Sequence, residues 1–414
     1  MKRRVVITGI GVIAPTGLGT ENFWGAVTSG KSGIGEITRF DTSSYPCRIA
    51  GEINDFDPTD YMSPKMARRM DRFSQLAVAC SQEAMEDAGL RIDDTNRDRI
   101  GISLGSALAG VSYEEQQHSI FLEKGLRRVD PLLATRIFLG EAASHVSIAL
   151  GIRGHSNSIG GACSAGADAV GYAFHCIANG LADVMLAGAS EAPLGPLTFG
   201  AFGILGVLSR RNGSPSSASR PFDATRDGFV MAEGAAAMLL EELGHASKRD
   251  ARIYAEIVGY GTTFDAFHMV QPSPSGEAGR IAVEKAIKES GLRPEELDYI
   301  SAHGTSTVLN DKVETQIIKK VFKAHAYRIP VNSVKSMIGH TLGAAGAIEV
   351  AICALSIRDQ FVHPTINLEH PDPECDLDYV PLVGKLHEIN VALSNSFGFG
   401  GKNSAFILRK PDDH

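Results

Sequence analysis

The sequence contains little that would suit an extracellular, membrane-spanning or nucleic-acid-binding protein. Its 414 residues include six cysteines without paired close spacing, so neither a disulfide framework nor a zinc ribbon is expected. The sequence has no uninterrupted apolar run of about 18 residues, so no membrane span is predicted. The apolar run after the basic N-terminus is too short for a signal peptide. A formal net charge of -8 argues against nucleic acid as the main partner. We therefore expect a cytoplasmic protein.

The composition is that of an ordinary globular protein, with 43% hydrophobic and 21% charged residues. A chain of this length can bury a large core, in two or more domains or in one duplicated domain. Short β-branched runs punctuated by glycine alternate with helical stretches throughout. This rhythm predicts an α/β layered fold with mainly internal strands. The predicted strands are Arg4–Ile7, Ile100–Leu104, Ala182–Ala187, Ile253–Val258, Tyr299–Ala302 and Ala392–Asn395.

An internal repeat supports duplication. The stretch Ala84–Arg91 (AMEDAGLR) is echoed by Ala286–Arg293 (AIKESGLR), and both lead from a helix that ends at glycine to a strand. Cys163 also resembles His340 in preceding a helix rich in small residues. The sequence therefore predicts two similar halves, residues 1–250 and 251–414, unless the repeated stretch is only a common helix ending.

Two stretches exceed what a compact layered unit needs. Residues 107–140 and 191–230, the latter rich in Gly, Pro, Ser and Arg, are predicted to lie outside the layered core. Excursions of this length usually carry binding surfaces.

Cys163 lies in the segment Gly160–Gly166 (GGACSAG), just before an amphipathic helix. A nucleophile at a strand-to-helix turn needs small neighbours, so that its side chain stands clear and its backbone N–H faces the substrate. Lowering a thiol pKa of about 8.5 by two units takes about 2.7 kcal/mol, which is more than a helix dipole supplies. We therefore expect a nearby imidazole to help form a thiolate; the alternative is a small buried core cysteine.

His303 opens a turn rich in hydroxyl groups (HGTST) after a predicted strand that ends at Ala302. The carboxyl ends of strands are where α/β sheets gather their functional sites. Asp311 and Glu314 lie at the start of the next predicted helix, where the helix dipole favours carboxylates. Asp311 is either the N-cap of that helix or a group that orients the site.

His340 follows Gly339 at another predicted helix start, and Lys335 lies five residues before it. The Lys335 ammonium is expected to bias the protonation of the imidazole or to pair with Glu314, unless it is a solvated surface lysine. No two candidate ligands fall at i, i+3 or i+4 with a third nearby, so no metal site is predicted.

The two ends of the sequence each carry a glycine motif. Asn395–Gly401 (NSFGFGG) is a loop that can present backbone N–H groups to an oxyanion while its rings open or close a pocket. The alternative is a tight glycine crossing beside two core phenylalanines. Gly9–Ala14 matches a dinucleotide fingerprint superficially, but Pro15 follows instead of a helix, so no dinucleotide is predicted.

Two groups of basic residues interrupt this acidic sequence. In such a setting they suggest docking of a small acidic or phosphorylated partner, although a solvated helix face is the alternative. The first group repeats at helical spacing and the second is a pair: Lys65, Arg68, Arg69 and Arg72, then Arg127 and Arg128.

Together, the motifs ACS-x-G, AHGTST, KS-x-x-GH and NSFGFGG closely resemble those of the elongating β-ketoacyl-[acyl carrier protein] synthases, synthase II class, in the thiolase superfamily. The resemblance runs from Val5 to Leu408. It implies a duplicated five-layered α-β-α-β-α thiolase-like fold and a homodimer, or a heterodimer with a chain-length-factor-like homologue. It implies no resident cofactor, because the substrates arrive on the phosphopantetheine of acyl carrier protein.

The resemblance also implies roles for single residues. Cys163 corresponds to the nucleophile that accepts the acyl group, and Phe399 to a gating phenylalanine whose N–H joins that of Cys163 in the oxyanion hole. His303 and His340 correspond to the pair that assists malonyl decarboxylation and stabilises the carbanion and the oxyanion. Lys335 corresponds to the lysine of this active site.

Further residues are assigned in the same way. Glu314 is the implied ion-pair partner of Lys335, and Asp311 gives structural support. Thr305 and Thr307 correspond to hydroxyls that contact pantetheine. Leu108 is implied to line the acyl pocket. The carrier-protein docking surface is implied at Lys65, Arg68, Arg69, Arg127 and Arg128.

Five positions depart from the usual family pattern. Ser164 and Ala165 follow the cysteine where Thr-Ser or Ser-Ser is more usual, and His155 stands where proline is common. Lys402 replaces a frequent threonine or histidine, and Gly206 stands where some members carry a carrier-docking arginine. Each departure leaves a specialised substrate or partner open.

The expected activity is extension of an acyl chain on Cys163 by decarboxylative Claisen condensation with malonyl-[acyl carrier protein] in fatty acid synthesis. The alternative is the catalytic ketosynthase subunit of a type II polyketide or aryl polyene pathway, paired with a chain-length factor. A non-catalytic chain-length factor is disfavoured by the retained cysteine and histidines. A degradative thiolase would need a second reactive cysteine, and neither Cys353 nor Cys375 has a suitable glycine setting.

Overall fold

The computed structural model describes residues 2–412 of the chain. Most of its strands join one large sheet, and short strands pair outside it. The strands are β1 (Val5–Ala14), β2 (Gly17–Leu18), β3 (Ile34–Glu36), β4 (Ile49–Gly51), β5 (Ile100–Ser106), β6 (Ser156–Gly160), β7 (Val184–Glu191), β8 (Gly234–Glu242), β9 (Ala255–Phe264), β10 (Tyr299–Ser301), β11 (Val331–Asn332), β12 (Phe361–Val362), β13 (Lys385–Leu386), β14 (Val391–Gly398) and β15 (Lys402–Arg409).

The helices lie mainly between consecutive strands, as an α/β chain requires. They are α1 (Thr20–Thr28), α2 (Pro64–Ala67), α3 (Arg72–Ala88), α4 (Val111–Lys124), α5 (Leu133–Arg136), α6 (Glu141–Leu150), α7 (Ala165–Ala178), α8 (Pro196–Leu205), α9 (Leu243–Lys248), α10 (Glu277–Ser290), α11 (Val308–Phe322), α12 (Lys335–Ile338) and α13 (Ala345–Asp359). Among the described residues, no helix is long and apolar enough to cross a membrane.

The large sheet shows the duplication directly. Its first half has the strand order β1-β8-β7-β5-β6, and its second half has the order β9-β15-β14-β10-β11. In each half the first two pairings are antiparallel and the last two are parallel. The halves join through an antiparallel pairing of β1 with β9. The chain leaves the first half of the sheet after Glu242. The domain ranges 1–250 and 251–414 stay a prediction, and residues 413 and 414 lie outside the described part.

Glycines at equivalent strand positions let a helix approach each half of the sheet. A Cβ added to Gly9 in β1 would lie 2.1 Å from the Ala84 carbonyl oxygen of α3. A Cβ added to Gly259 in β9 would likewise lie 2.1 Å from the Ala286 carbonyl oxygen of α10. The N-terminal glycine motif therefore serves helix–sheet packing. Helix α3 occupies the space beside these glycines that a dinucleotide would need.

The helices and the two half-sheets stack in five layers. Helix α3 covers the outer face of the first half, while α10 and α11 cover the outer face of the second. Helices α7 and α13 lie between the halves in the central apolar core. This confirms the α-β-α-β-α thiolase-like fold. Between strands, residues 107–140 and 191–230 carry α4, α5 and α8 outside the sheet, as expected.

Candidate active site

The central helices α7 and α13 begin beside each other, and their preceding turns build the site. A Cβ added to Gly166 would lie 2.9 Å from the Ala347 nitrogen, so only glycine permits this crossing. Each helix follows a 3-10 turn whose first residue has a positive φ, 47° at Ala162 and 44° at Leu342. Such strained non-glycine residues concentrate at functional sites. By this register Cys163 is equivalent to Gly343, and His340 precedes that position by three residues.

Cys163 lies in the turn before α7 with 6% of its surface exposed. The backbone N–H of Phe399 lies near enough to the sulfur to lower the pKa of Cys163. Gly398 makes this approach possible, because a Cβ there would lie 3.3 Å from the Cys163 nitrogen. The backbone N–H groups of Cys163 and Phe399 are thus both close to the sulfur, as an oxyanion hole requires.

The expected imidazole-assisted thiolate is wrong for the free protein. Burial raises the pKa of Cys163 to about 11, and the Phe399 hydrogen bond and the Lys335 charge oppose this rise only in part. Burial and the Lys335 charge also hold the pKa values of His303 and His340 well below the usual range. Both imidazoles are therefore neutral, and neither supplies the positive charge that would stabilise a thiolate.

Two carboxylates hold the turn that carries His303. Glu314 accepts hydrogen bonds from the backbone N–H groups of His303 and Gly304, each at 2.8 Å. Asp311 accepts from the Thr305 N–H at 3.1 Å and forms an ion pair with Arg226. Asp311 therefore supports the site from within α11. The N-cap of this helix is Thr307 and not Asp311.

His340 is fixed by its backbone and by a neighbouring ring. Its N–H donates to the Val230 carbonyl oxygen at 2.6 Å, and its ring meets Phe229 edge to face. The centres of the His303 and His340 rings lie 5.3 Å apart, at an interplanar angle of 84°. The Nδ1 atom of His340 is buried without a hydrogen-bond partner among residues 2–412.

Lys335 forms its ion pair with Glu349 of α13 and not with Glu314, which corrects the sequence prediction. Both groups are 1% exposed, and burial raises the pKa of Glu349 while Lys335 opposes the rise. The Glu314 carboxylate instead holds the His303 turn. Lys335 Nζ also donates to the His303 carbonyl oxygen at 2.6 Å and lies 3.4 Å from His303 Nδ1.

Glu349 was missed because nothing in its local sequence marks it as functional. The available signal was its position as the single acid in the buried, mostly apolar stretch of α13 from Ala345 to Ile357. Glu191, at the end of β7, carries the same kind of signal. It accepts hydrogen bonds from the backbone N–H groups of Ala107, Leu108 and Gly343, and burial raises its pKa to about 7.

Four of the five predicted catalytic residues line one cavity, and Lys335 lies behind His303. Cys163, His303, His340 and Phe399 surround a space of about 60 Å3 that also includes Thr305. The hydroxyl oxygens of Thr305 and Thr307 lie 2.9 Å apart, which brings the predicted pantetheine contacts together. A larger cavity of about 420 Å3 adjoins the first, since Phe399 and Thr307 line both.

On its other side, Cys163 borders an apolar cluster. Leu108 packs in this cluster, next to the aromatic residues of α8. The Phe399 ring stacks on Phe202 with centres 6.2 Å apart and packs against the same cluster. A role of Leu108 in the acyl pocket stays a prediction that this placement supports.

The basic residues form a smaller surface than expected. Lys65, Arg68 and Arg69 are exposed on and just after α2. Arg72 is not part of this face, because it begins α3 and pairs with the buried Glu233. The second pair, Arg127 and Arg128, is exposed in a 3-10 turn after α4.

The duplicated fold with one cysteine and two histidines at the junction of its halves defines a thiolase-fold condensing enzyme. The chain belongs to the β-ketoacyl synthase family: the family's N-terminal domain matches residues 2–246 and its C-terminal domain matches residues 254–369. It is 47% identical over 409 residues to the 3-oxoacyl-[acyl-carrier-protein] synthase 2 of Synechocystis sp., covering 99% of this chain and 98% of that protein.

Two solved structures share the fold over nearly the whole chain. One is the AntDE:AntF complex, a type II PKS acyl-carrier protein with its ketosynthase bound to the hexaketide (TM-score 0.92, 38% identity, 99% of this chain and 100% of that chain). The other is the ishigamide ketosynthase/chain length factor (TM-score 0.93, 35% identity, 100% of both chains).

Proposed function

We propose that this enzyme extends an acyl chain held on Cys163 by decarboxylative condensation with malonyl-[acyl carrier protein] in fatty acid synthesis. The observation that carries the proposal is the single cavity in which the Cys163 sulfur, two neutral imidazoles and the Phe399 N–H meet. The 47% identity to a 3-oxoacyl-[acyl-carrier-protein] synthase 2 supports the same reaction.

In the first step the Cys163 sulfur attacks the thioester of the acyl carrier. The new carbon–sulfur bond forms on Cys163, the carrier's sulfur leaves, and the thiol proton passes to it. Because burial raises the pKa of the thiol to about 11, its proton must leave as the sulfur attacks. The N–H groups of Cys163 and Phe399 stabilise the oxyanion, for which a single donor is worth about 2.7 to 4 kcal/mol.

In the second step the malonyl thioester loses carbon dioxide, and its carbonyl oxygen takes up the negative charge. A neutral imidazole carries one donor nitrogen and one acceptor nitrogen. An ammonium has no acceptor, so the contact of Lys335 Nζ with His303 Nδ1 favours the tautomer with its proton on Nε2. His303 is thereby held as a hydrogen-bond donor to the developing enolate, and His340 lies beside it.

In the third step the carbanion attacks the acyl thioester on Cys163. The carbon–sulfur bond breaks, the ketoacyl product stays on the carrier, and the Cys163 sulfur recovers a proton from solvent. The same two backbone N–H groups stabilise this second oxyanion.

The test is intact-protein mass spectrometry of the enzyme with acyl carriers of graded chain length. We expect a mass increase equal to one acyl group, lost in Cys163→Ala together with all condensation. Cys176→Ala is the matched control, since Cys176 is a buried cysteine of α7, the helix that follows Cys163. Condensation that persists in Cys163→Ala would contradict the proposal.

The alternative is a ketosynthase of a type II polyketide or aryl polyene pathway paired with a chain-length factor. It draws support from the two structures above, at 38% and 35% identity. The greater identity to the 3-oxoacyl-[acyl-carrier-protein] synthase 2 favours elongation in fatty acid synthesis. A purified chain that condenses only after a cysteine-lacking homologue is added would favour the alternative.

Two partners belong to the proposal. Acyl carrier protein is expected to dock on Lys65, Arg68, Arg69, Arg127 and Arg128, whose exposed charges suit an acidic surface. A second copy of the chain is expected to pair along β6, which lies at the edge of the sheet beside exposed apolar side chains. The absence of a resident cofactor and the cytoplasmic location stay predictions.

A further inference from the structure

Lys402 begins β15 directly after the loop Gly398–Gly401, here called the Phe399 loop. Its ammonium forms an ion pair with Asp168 at 2.5 Å, and the side chains are only 18% and 5% exposed. Asp168 lies in the first turn of α7, five residues after Cys163. The pair therefore links the end of the Phe399 loop to the helix that carries the nucleophile.

Asp168 is itself held by several donors. Its carboxylate accepts hydrogen bonds from the Tyr260 hydroxyl at 2.7 Å, the Ser404 hydroxyl at 2.6 Å and the Ser164 hydroxyl at 3.1 Å. Ser164 is the residue after Cys163, whereas Tyr260 and Ser404 belong to β9 and β15 of the other half. The carboxylate is thus a fixed anchor for the Lys402 charge.

The rest of the Phe399 loop is held by backbone hydrogen bonds and not by charged groups. Its backbone makes two hydrogen bonds of 2.7 Å with a neighbouring exposed segment, from the Gly400 N–H to Met269 O and from the Asp265 N–H to Gly401 O. Gly400 and Gly401 have φ values of 79° and 74°, which glycine adopts without strain. A loop of this kind has alternative conformations within reach, so a charged contact at its end selects among them.

We propose that the Lys402–Asp168 ion pair positions the Phe399 loop, so that the Phe399 N–H points at the Cys163 sulfur and stabilises the oxyanion. Lys402 is then a positioning residue, because it acts through Phe399 and does not touch the reacting atoms. Its partly buried setting strengthens the pair relative to an exposed one. The inference rests on the proposed acyl transfer to Cys163.

The experiment measures the rate at which Cys163 is acylated by an acyl carrier, in a single turnover followed by mass spectrometry. Complete loss of an oxyanion donor costs about 100- to 1000-fold, and a misplaced donor costs less, so we expect Lys402→Met to be about tenfold slower. Lys402→Arg keeps the charge and should stay within about twofold of the wild type. The carrier's KM should be unchanged, since the loss falls on kcat.

The matched control is Lys385→Met, which removes another strand lysine paired with an aspartate at 2.5 Å, away from the cavity. Asp168→Asn keeps an acceptor for Tyr260 and Ser404 but weakens the ion pair, and it should also slow acylation. In the double variant Lys402→Met/Asp168→Asn the two losses should not multiply, because both remove one interaction.

The outcomes separate the inference from the proposed function. If the wild type is not acylated at all, the proposed function fails. If the wild type is acylated but Lys402→Met matches Lys385→Met, or if the losses of the double variant multiply, the positioning role is overturned. Should Lys402→Met lose its fold in a thermal melt, Asp168→Asn and Lys402→Arg still decide the question through the ratio of their acylation rates.

Discussion

At the scale of single residues, the chemistry of the site depends on what burial does to charge. Cys163, His303 and His340 each favour their neutral form, and the buried charge beside them is the Lys335–Glu349 pair. Each neutral imidazole carries one N–H, so each ring can donate a hydrogen bond to a developing enolate.

The lowered imidazole pKa values predict a pH dependence of stability. Below the usual histidine pKa of about 6.5 the unfolded chain binds protons that buried His303 and His340 cannot bind. The free energy of unfolding of the wild type should therefore fall relative to that of His303→Asn/His340→Asn as the pH drops below about 6.5. Urea unfolding at two pH values on either side of this point measures the difference.

The comparison with the variant is needed because buried carboxyls act with the opposite sign. Burial raises the pKa of Glu191 and Glu314 to about 7, so they favour the folded state as the pH falls. The control is His118→Asn, which removes an exposed histidine. A stability difference that does not change with pH would contradict the prediction, because it would mean that the two imidazoles bind protons equally in the folded and unfolded states.

The sequence predicted the residues of the site better than their partners. The structure brings together five predicted residues: Cys163, His303, His340, Lys335 and Phe399. The sequence could predict them because each lies in or beside a glycine-rich turn. The ion pair of Lys335 was assigned to the wrong carboxylate, since Glu349 approaches through the packing of α13 and not through any sequence spacing.

At the scale of elements, duplication shows in how helices pack on strands. The repeat recognised in the sequence, Ala84–Arg91 and Ala286–Arg293, corresponds to the C-terminal parts of α3 and α10. Each of these helices packs on the first strand of its half at a glycine. The repeat is therefore structural, although its residues are remote from the active site.

This packing predicts the effect of filling a close approach. Gly259→Ala should lower the free energy of unfolding by about 1 to 3 kcal/mol, because the new methyl group meets the Ala286 carbonyl oxygen. Gly25→Ala is the control, since nothing lies within 4 Å of a Cβ there. In mid-helix it should raise stability by about 0.5 to 1 kcal/mol. Equal effects in urea unfolding would contradict the close packing.

At the scale of the whole molecule, one edge of the large sheet is open. Strand β6 ends the sheet, and the N–H of Ser158 in β6 bonds to the Asn157 side chain. An open edge beside apolar surface invites pairing with another chain. The exposed apolar residues of the adjoining segments are Phe121, Leu122, Leu126, Leu132, Phe138 and Ile148.

We therefore expect a dimer that fails when this apolar surface is charged. Ile148→Asp combined with Leu126→Asp should shift the protein to monomers in light scattering after size-exclusion chromatography. Leu386→Asp is the control, because Leu386 is 81% exposed but lies on β13, outside these segments. A monomeric wild type, or a double variant that stays dimeric, would contradict this interface.

The sequence by itself determined the two-fold repeat and the motifs that place one cysteine and two histidines beside glycines, because turns and helix ends depend on neighbouring residues. Tertiary structure alone decided that Arg72 faces Glu233 and that Lys402 meets Asp168. It also decided that Cys163, His303 and His340 are neutral in the free enzyme. These outcomes depend on contacts between residues far apart in the chain and on the burial they create, which sequence spacing does not encode.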